Sequence, residues 1–347
     1  MKTHQQYIRR CIELAKNGLG STYPNPLVGS VIVYNDTIIG EGWHRKAGEA
    51  HAEVHAINSV KDKSLLSKAT IYVSLEPCSH FGKTPPCCDL IVAHNIPNVV
   101  IGTIDPFAKV AGNGIKKLME AGKKVTVGVL EDECNQLNRR FFTFHTQQRP
   151  YIILKWAESQ DGFIAPMTKD KPEPVWITNT FSRQLVHKWR TEEQAILVGT
   201  HTVLEDNPKL DARDWHGQNP VRIVLDKSGK IDHKYHVKDE KSQTIIITAQ
   251  ENLASTENLI YENCIFDNRL VFSICTILYK KNIQSVIIEG GSQTLQSFID
   301  ANLWDEARVF KGATSFSTGI KSPIISSQKT AIQRILKDEL LIFFNHD

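Results

Sequence analysis

Residues 69–78, Ala69-Thr70-Ile71-Tyr72-Val73-Ser74-Leu75-Glu76-Pro77-Cys78, decide how the first half of the chain is read. The β-branched and aromatic run from Ala69 to Leu75 predicts a strand, and that strand delivers Glu76-Pro77-Cys78 at its end. Ser79-His80-Phe81-Gly82-Lys83-Thr84-Pro85-Pro86 then leads to Cys87, and a helix over Cys87 to His94 starts directly after Pro86. Upstream, His51-Ala52-Glu53 opens a predicted helix from His51 to Val60. Further out, Val28 to Tyr34 and Thr37 to Trp43 are apolar, β-branched runs joined at Asn35-Asp36, a tight-hairpin signal. Tyr7, Ile8, Cys11, Ile12, Leu14 and Ala15 recur at helical spacing within residues 6–17, and Gly18 and Gly20 end that helix. A strand at Val99 to Gly102, a helix at Gly114 to Ala121 and a strand at Val125 to Val129 complete an alternating pattern. Such alternation predicts an α/β layered sheet with helices on both faces.

His51, Cys78 and Cys87 supply one imidazole and two thiols from three of these elements. Zinc prefers tetrahedral nitrogen and sulfur ligands, and a catalytic site keeps its fourth position open for water. A water there loses its proton near neutral pH and can attack an amino-bearing ring carbon. Glu53, two residues past the histidine, fits the carboxylate that carries protons in zinc deaminases without touching the metal. His-x-Glu alone arises often by chance, but the two pieces in this order and on these elements are specific. Two other readings stand beside it. The thiols could be ordinary buried cysteines, or ligands of a closed structural site with His80 or Cys88 as the fourth donor. Cys88 also leaves the third ligand ambiguous by one residue, and Cys87 is preferred because it follows Pro86 at the helix start. Meeting at two helix N-termini would help to hold the cysteines as thiolates.

At 347 residues two domains are expected. The composition, 41% hydrophobic and 23% charged, is that of a globular protein. A formal net charge of +3 argues against a nucleic-acid or membrane-surface role. No window approaches the length that spans a bilayer, and the polar start Met1-Lys2-Thr3-His4 has no apolar signal core. Seven cysteines, two of them assigned to the metal, argue against a disulfide framework. A cytoplasmic protein is expected.

A helix is predicted from Glu131 to about Gln147, and polar Gln147-Gln148-Arg149-Pro150 marks the boundary between domains 1–147 and 150–347. Beyond it, strands are predicted near Tyr151–Ala157, Ala195–Gly199, Val221–Leu225, Thr244–Thr248 and Val286–Glu289. Helices are predicted near Ser182–Glu193, Val271–Lys280 and Thr294–Ala301, and two last strands turn at Lys337-Asp338 within residues 333–345. Apart from Thr244–Thr248, residues 232–268 show no clear pattern. Gly199-Thr200-His201-Thr202 ends one strand, and Ile288-Glu289-Gly290-Gly291-Ser292 leads from another into a helix. Glycines at such a turn let a phosphate approach backbone N–H groups at the helix N-terminus, although they could equally be plain turn residues. No Gly-x-Gly-x-x-Gly dinucleotide fingerprint occurs.

Taken together the chain resembles the bifunctional riboflavin-biosynthesis deaminase–reductase (RibD/RibG) family over nearly its whole length. The marks are Pro24-Asn25-Pro26-Leu27-Val28-Gly29, Ala50-His51-Ala52-Glu53-Val54-His55-Ala56, and Leu75-Glu76-Pro77-Cys78-Ser79-His80 through Thr84-Pro85-Pro86-Cys87. In the second half they are Leu154-Lys155, Ser159-Gln160-Asp161-Gly162, Trp176-Ile177-Thr178, Thr202-Val203-Leu204, Asp206-Asn207-Pro208, Leu210 and Glu289-Gly290-Gly291. The resemblance implies a cytidine-deaminase-like α/β/α layered domain followed by a dihydrofolate-reductase-like α/β domain. It implies two reactions: replacement of the 2-amino group of a diaminopyrimidinone ribosylamine phosphate by oxygen, then NADPH-dependent reduction of the ribosyl chain to ribityl. One zinc ion per chain, held by His51, Cys78 and Cys87, and Glu53 as proton donor follow from it. Asn25, His44 and Lys83 match deaminase substrate contacts. Ala157, Trp176, Thr202, Asp206, and Gly291, Ser292, Gln293 and Thr294 match NADPH contacts. Arg190, Leu210, Arg213 and Glu289 match reductase substrate contacts, the arginines suiting a phosphate. A homo-oligomer, dimer or tetramer, is also implied.

Some of these residues fit plainer roles as well: Trp176 suits a core, and Arg190 suits the end of a helix. The chain departs from the family pattern at Asp105-Pro106-Phe107, where Asp-Pro-Asn is common, at Lys227, where serine is common, and at Lys311-Gly312-Ala313-Thr314-Ser315-Phe316. The alternative reading is therefore a deaminase whose C-terminal half is a degenerate reductase-like binding domain. A deaminase acting on a flipped nucleic-acid base is disfavoured by the near-neutral charge.

Overall fold

The computed structural model describes residues 2–81, 85–107, 112–169, 173–326 and 329–345. The chain divides into two compact units, Met1–Gln148 and Arg149–Asp347. The first contains α1 (Lys2–Ala15), β1 (Gly29–Tyr34), β2 (Thr37–Trp43), α2 (Ala52–Ser59), β3 (Thr70–Leu75), α3 (Cys87–Ala93), β4 (Asn98–Thr103), α4 (Asn113–Glu120), β5 (Lys124–Val127), α5 (Glu131–Leu137) and α6 (Arg139–Gln147). The strand order is β2-β1-β3-β4-β5. β1 runs antiparallel to β2 and β3, while β3, β4 and β5 are parallel. Asn35 and Asp36 both take left-handed φ values, 47° and 58°, as a two-residue hairpin with matching twist requires.

Alternation along β3 decides the layering. Ile71 and Val73 pack with Ala56, Ile57, Cys88 and Ile91 on the α2–α3 face, while Tyr72 packs with Ile8, Cys11 and Cys134 on the other. Each large aliphatic side chain so buried contributes about 1.5–3 kcal/mol. The single helix expected from Glu131 to Gln147 is instead two, broken at Asn138 (φ −102°, ψ 19°). The buried Asn138 carboxamide accepts from the Leu27 N–H at 2.7 Å and donates to the Leu27 carbonyl at 2.8 Å. The chain gives up helical geometry at that residue while its side chain serves as a hydrogen-bonding partner for the loop ahead of β1.

The second unit contains β6 (Tyr151–Glu158), β7 (Phe163–Pro166), α7 (Thr180–Glu192), β8 (Ala195–Gly199), α8 (Thr200–Asp206), β9 (Val221–Leu225), β10 (Thr244–Thr248), β11 (Leu259–Asn263), α9 (Leu270–Lys280), β12 (Ser285–Ile288), α10 (Ser292–Asp300), β13 (Glu306–Lys311), β14 (Gly319–Lys321), β15 (Lys329–Ile335) and β16 (Asp338–Phe344). Its main sheet has the order β11-β10-β9-β8-β12-β6-β13-β16-β15, parallel from β11 to β13, with β16 antiparallel to both of its neighbours. β7 pairs with β14 in a separate ribbon. The parallel strands leave their carboxyl ends on one edge, where open α/β sheets form ligand crevices.

Three features differ from expectation. β11 lies in the stretch without a clear sequence pattern, as a strand at the sheet edge. β13 was not placed from the sequence; its Glu306 and Arg308 are both buried and paired, Arg308 Nε lying 2.7 Å from Glu306 Oε1. The last hairpin turns at Leu336, whose φ is 56°, one residue earlier than expected. Asp338 is thereby drawn into β16, buried, where it accepts from Asn179 N–H at 2.8 Å and Ser182 Oγ at 2.6 Å. No described helix is long and apolar enough to cross a membrane.

Candidate functional site

In the first unit, His51 is the extended residue capping α2 (φ −73°, ψ 167°), Cys78 follows β3, and Cys87 is the first residue of α3. Their side chains converge: His51 Nδ1 lies 3.5 Å from Cys78 Sγ and 3.3 Å from Cys87 Sγ, and the three donor atoms all lie within 4.8 Å of one another. Tetrahedral zinc with nitrogen at about 2.0 Å and sulfur at about 2.3 Å separates those donors by roughly 3.5 Å. The donor set therefore fits zinc in spacing as well as in chemistry. The Cys87 side chain, then His51 and the Cys87 N–H, stabilise a thiolate at Cys78 and outweigh its burial, so its thiol is held well below the ordinary cysteine range. Cys88 is turned away. Its sulfur reaches the Pro77 carbonyl at 3.3 Å and the Gly114 carbonyl at 3.5 Å, and burial pushes its thiol up to about 12. Exposed His80 is not part of the group either.

Glu53 sits in the first turn of α2, 3% exposed. Burial, then the Cys78 charge, push its carboxyl up to about 6 against the pull of His51. Buried His44 stands edge-on to His51, ring centroids 5.5 Å apart. His44 Nδ1 lies 3.1 Å from the Ala50 carbonyl and Nε2 lies 3.0 Å from Asn25 Nδ2. A carbonyl only accepts, so Nδ1 carries the proton and Nε2 accepts from Asn25. The expected contacts Asn25 and His44 are thus joined to each other, beside His51. Lys83 lies outside the described residues. Where asparagine is common in the family, the Phe107 ring packs on His145 of α6 at 5.0 Å.

The second unit holds a cavity of about 720 Å³ at the carboxyl ends of β6, β8 and β12. Ala157, Trp176, Thr202, Asp206, Gly291 and Ser292 all line it. Gln293 and Thr294 do not: Gln293 is exposed, and Thr294 Oγ1 lies against Gly199, 2.8 Å from where a Cβ there would stand. On a helix only part of the first turn can face one cleft. Trp176 is 56% exposed at the cavity with the Arg183 guanidinium 4.4 Å over its ring, so it is not a core residue. Gly290 has no room for a side chain, since a Cβ would meet Val198 Cα at 2.6 Å. Gly291 at φ 42° opens the turn towards Thr202. These turns and a cleft of this size fit a dinucleotide such as NADPH.

Arg190, Leu210, Arg213 and Glu289 line the same cavity. Arg190 donates to Glu289 Oε2 at 2.8 Å and to the Asp211 carbonyl at 3.0 Å, and Lys155 Nζ lies 3.8 Å from the same carboxylate. Burial opposes ionisation of Glu289, but Arg190 and Lys155 outweigh it and hold the carboxyl down to about 2. Burial, helped by Arg190 and opposed by Glu289, lowers Lys155. Sequence reasoning assigned no role to Lys155, although a lysine inside an otherwise apolar strand was its signal. Lys169 was also missed; its ammonium pairs with Asp206. Arg213 pairs instead with Asp211 at 2.6 Å.

Two family models match the chain: "Cytidine and deoxycytidylate deaminase zinc-binding region" over residues 1–103, and "RibD C-terminal domain" over residues 150–316. The riboflavin biosynthesis protein RibD of Aquifex aeolicus is 40% identical over 98% of each chain. That of Escherichia coli is 34% identical over 88% of this chain and 86% of its own. Among solved structures, a Thermotoga maritima diaminohydroxyphosphoribosylaminopyrimidine deaminase/5-amino-6-(5-phosphoribosylamino)uracil reductase superposes with a TM-score of 0.89, at 37% identity and 99% coverage of each chain. Acinetobacter baumannii RibD also gives 0.89, at 31% identity over 100% of this chain and 99% of that one. With the zinc donor set in one unit and a dinucleotide-sized cleft in the other, the chain belongs to the RibD family of bifunctional riboflavin-biosynthesis enzymes, deaminase and reductase in one polypeptide.

Proposed function

We propose that residues 1–147 deaminate a diaminohydroxyphosphoribosylaminopyrimidine and that residues 150–347 reduce the resulting 5-amino-6-(5-phosphoribosylamino)uracil with NADPH. The observation that carries the reading is the convergence of His51, Cys78 and Cys87 beside buried Glu53. Because the second half matches the RibD C-terminal domain, a deaminase with a decayed second half is not favoured.

His51 Nδ1 and the sulfurs of Cys78 and Cys87 would hold the zinc. Zinc on such a donor set supplies an activated water at neutral pH for attack on an amino-bearing ring carbon. The Glu53 carboxylate would carry one proton of the attacking water to the ring nitrogen and the second, from the hydroxyl newly bonded to the ring carbon, to the leaving amine, so that ammonia departs as the carbonyl forms. Burial suits it to both tasks, since a carboxyl raised toward neutrality can accept and return a proton. Asn25, oriented by His44 through the bond from its Nδ2, holds the pyrimidine, and Lys83 binds the phosphorylated end. In the second unit Ala157, Trp176, Thr202, Asp206 and the turn at Gly291 and Ser292 would hold NADPH, which would supply the hydride. For Gln293 and Thr294 the contact proposed is through main-chain N–H groups at the start of α10. Arg190, Leu210, Arg213 and Glu289 bind the phosphorylated substrate, with Glu289 fixing the Arg190 guanidinium.

All seven cysteines are free, which supports a reducing, cytoplasmic setting. A homo-oligomer, dimer or tetramer, rests on the family resemblance and is checked by sedimentation velocity. The deciding experiment gives purified zinc enzyme the diaminopyrimidinone ribosylamine phosphate and follows ammonia and NADPH absorbance in one cuvette. Ammonia release with NADPH consumption in step is expected. Ammonia release with flat NADPH would leave only the first activity.

A further inference from the structure

Glu76 leaves β3 two residues before Cys78 and is 4% exposed. Its Oε1 accepts the N–H of Gly114 at 2.8 Å and of Ile115 at 3.3 Å, and its Oε2 accepts those of Gly112 at 2.9 Å and Asp105 at 3.3 Å. Three of these donors belong to the start of α4, where an α-helix leaves N–H groups unsatisfied. The residue at the N-cap itself is Gly112, with φ 77° and no side chain to offer. Glu76 caps the helix from another element, with its charge at the favourable end of the dipole. The packing around it is tight. A Cβ on Gly114 would lie 2.1 Å from the Pro77 carbonyl and 3.2 Å from Cys88 Sγ. Cys88 in turn ties its sulfur to that Pro77 carbonyl and its N–H to the Cys78 carbonyl at 3.2 Å. The main chain on either side of Cys78 is therefore pinned to α3 and pressed on α4, with the Glu76 carboxylate joining α4 and the Asp105 turn to β3.

We propose that Glu76 is a positioning residue for the deaminase centre. It holds the main chain carrying Cys78 in fixed register with α4 and Asp105, so that the Cys78 sulfur keeps the spacing from His51 and Cys87 that a tetrahedral ion requires. This rests on the reading of His51, Cys78 and Cys87 as the zinc holders. A carboxylate is suited to the task because one group with four acceptor lone pairs meets four converging donors. Glu76→Gln keeps the shape but turns an amide NH₂ onto two of the N–H groups.

The test uses the full chain, loaded with zinc or with cobalt(II) as a visible-absorbing substitute. In Glu76→Gln the cobalt bands shift, metal passes to a chelator faster, and kcat for ammonia release falls, the last two by about 10- to 100-fold, the usual consequence of losing an outer-shell partner. NADPH-dependent reduction of ready-made deaminated substrate is unchanged, and a cooperative melting transition of the first unit together with one bound metal ion per chain shows that this unit is folded. Glu76→Asp, which keeps the charge, recovers part of the loss. Cobalt bands and metal release matching the wild type would overturn the proposal, even with a lowered melting temperature, because Glu76 would then be a helix cap and no more. Should Glu76→Gln not be recovered folded, Glu76→Asp is read by the same bands and release rate against the wild type. A wild-type chain that binds cobalt yet releases no ammonia would defeat the functional reading, while the cobalt comparison would still decide the role of Glu76.

Discussion

Glu53 and Glu289 are buried carboxyls pushed in opposite directions, and the contrast follows from their neighbours. Glu53 faces burial and the Cys78 charge, and its carboxyl rises to about 6. Glu289 faces Arg190 and Lys155, and falls to about 2. Glu53→Gln keeps the volume and removes the proton-carrying group, so kcat for ammonia release should fall by about 10²–10⁴-fold. One zinc per chain should persist by elemental analysis, and the reductase should be unaffected; zinc loss in this variant would point instead to a structural role. Glu289→Gln leaves Arg190 and Lys155 buried without their counter-charge, and breaking a buried pair in this way costs about 3–5 kcal/mol. Because the folded value of Glu289 lies below the ordinary 4.5, its stabilisation is fully present above that pH and is lost as the pH falls through about 2. The difference in urea midpoint between wild type and Glu289→Gln should therefore be largest near neutrality and shrink between those two values.

Elements carry the site as much as side chains do. β3 and the N-termini of α2 and α3 bring three zinc donors together from positions 27 and 36 residues apart in sequence. The break between α5 and α6 has a comparable purpose at the other wall. By clamping both polar groups of Leu27, Asn138 fixes the loop that presents Asn25. Asn138→Ala orphans a buried N–H and a buried carbonyl, costing about 1–3 kcal/mol for each. With Asn25 as the proposed substrate contact, the expected kinetic result is a raised deaminase KM with kcat little changed. A fall in kcat alone would reject that division of labour.

On the scale of the whole molecule, each unit has its own core and its own site. Zinc removal should therefore separate the activities. A chelator-treated chain is expected to release no ammonia from the pyrimidine, yet to consume NADPH at the normal rate when given the deaminated product. Loss of both activities on chelation would show that the reductase depends on the metal.

The cluster of His51, Cys78 and Cys87 was legible because sequence spacing and element type together constrain it: a histidine opening one helix, a Pro-Cys after a strand, a cysteine opening the next helix. The succession of strands and helices along the chain likewise announced an α/β layered architecture for the first unit, because strands apolar on both faces need helices on both sides. What the sequence left open was decided by contacts between distant residues. Cys87 rather than Cys88 joins the donor group because the Cys88 sulfur is taken by Pro77 and Gly114. β13, unplaced from the sequence, buries Glu306 and Arg308 by pairing them with each other. Arg190, legible as an arginine near a helix end, became the partner of Glu289 across 99 residues. Local pattern reports which face of an element is apolar and which residue types are at hand. Which charge neutralises which, and which sulfur faces the metal, is fixed only when the elements pack, because those energies depend on distances that the order of residues does not contain.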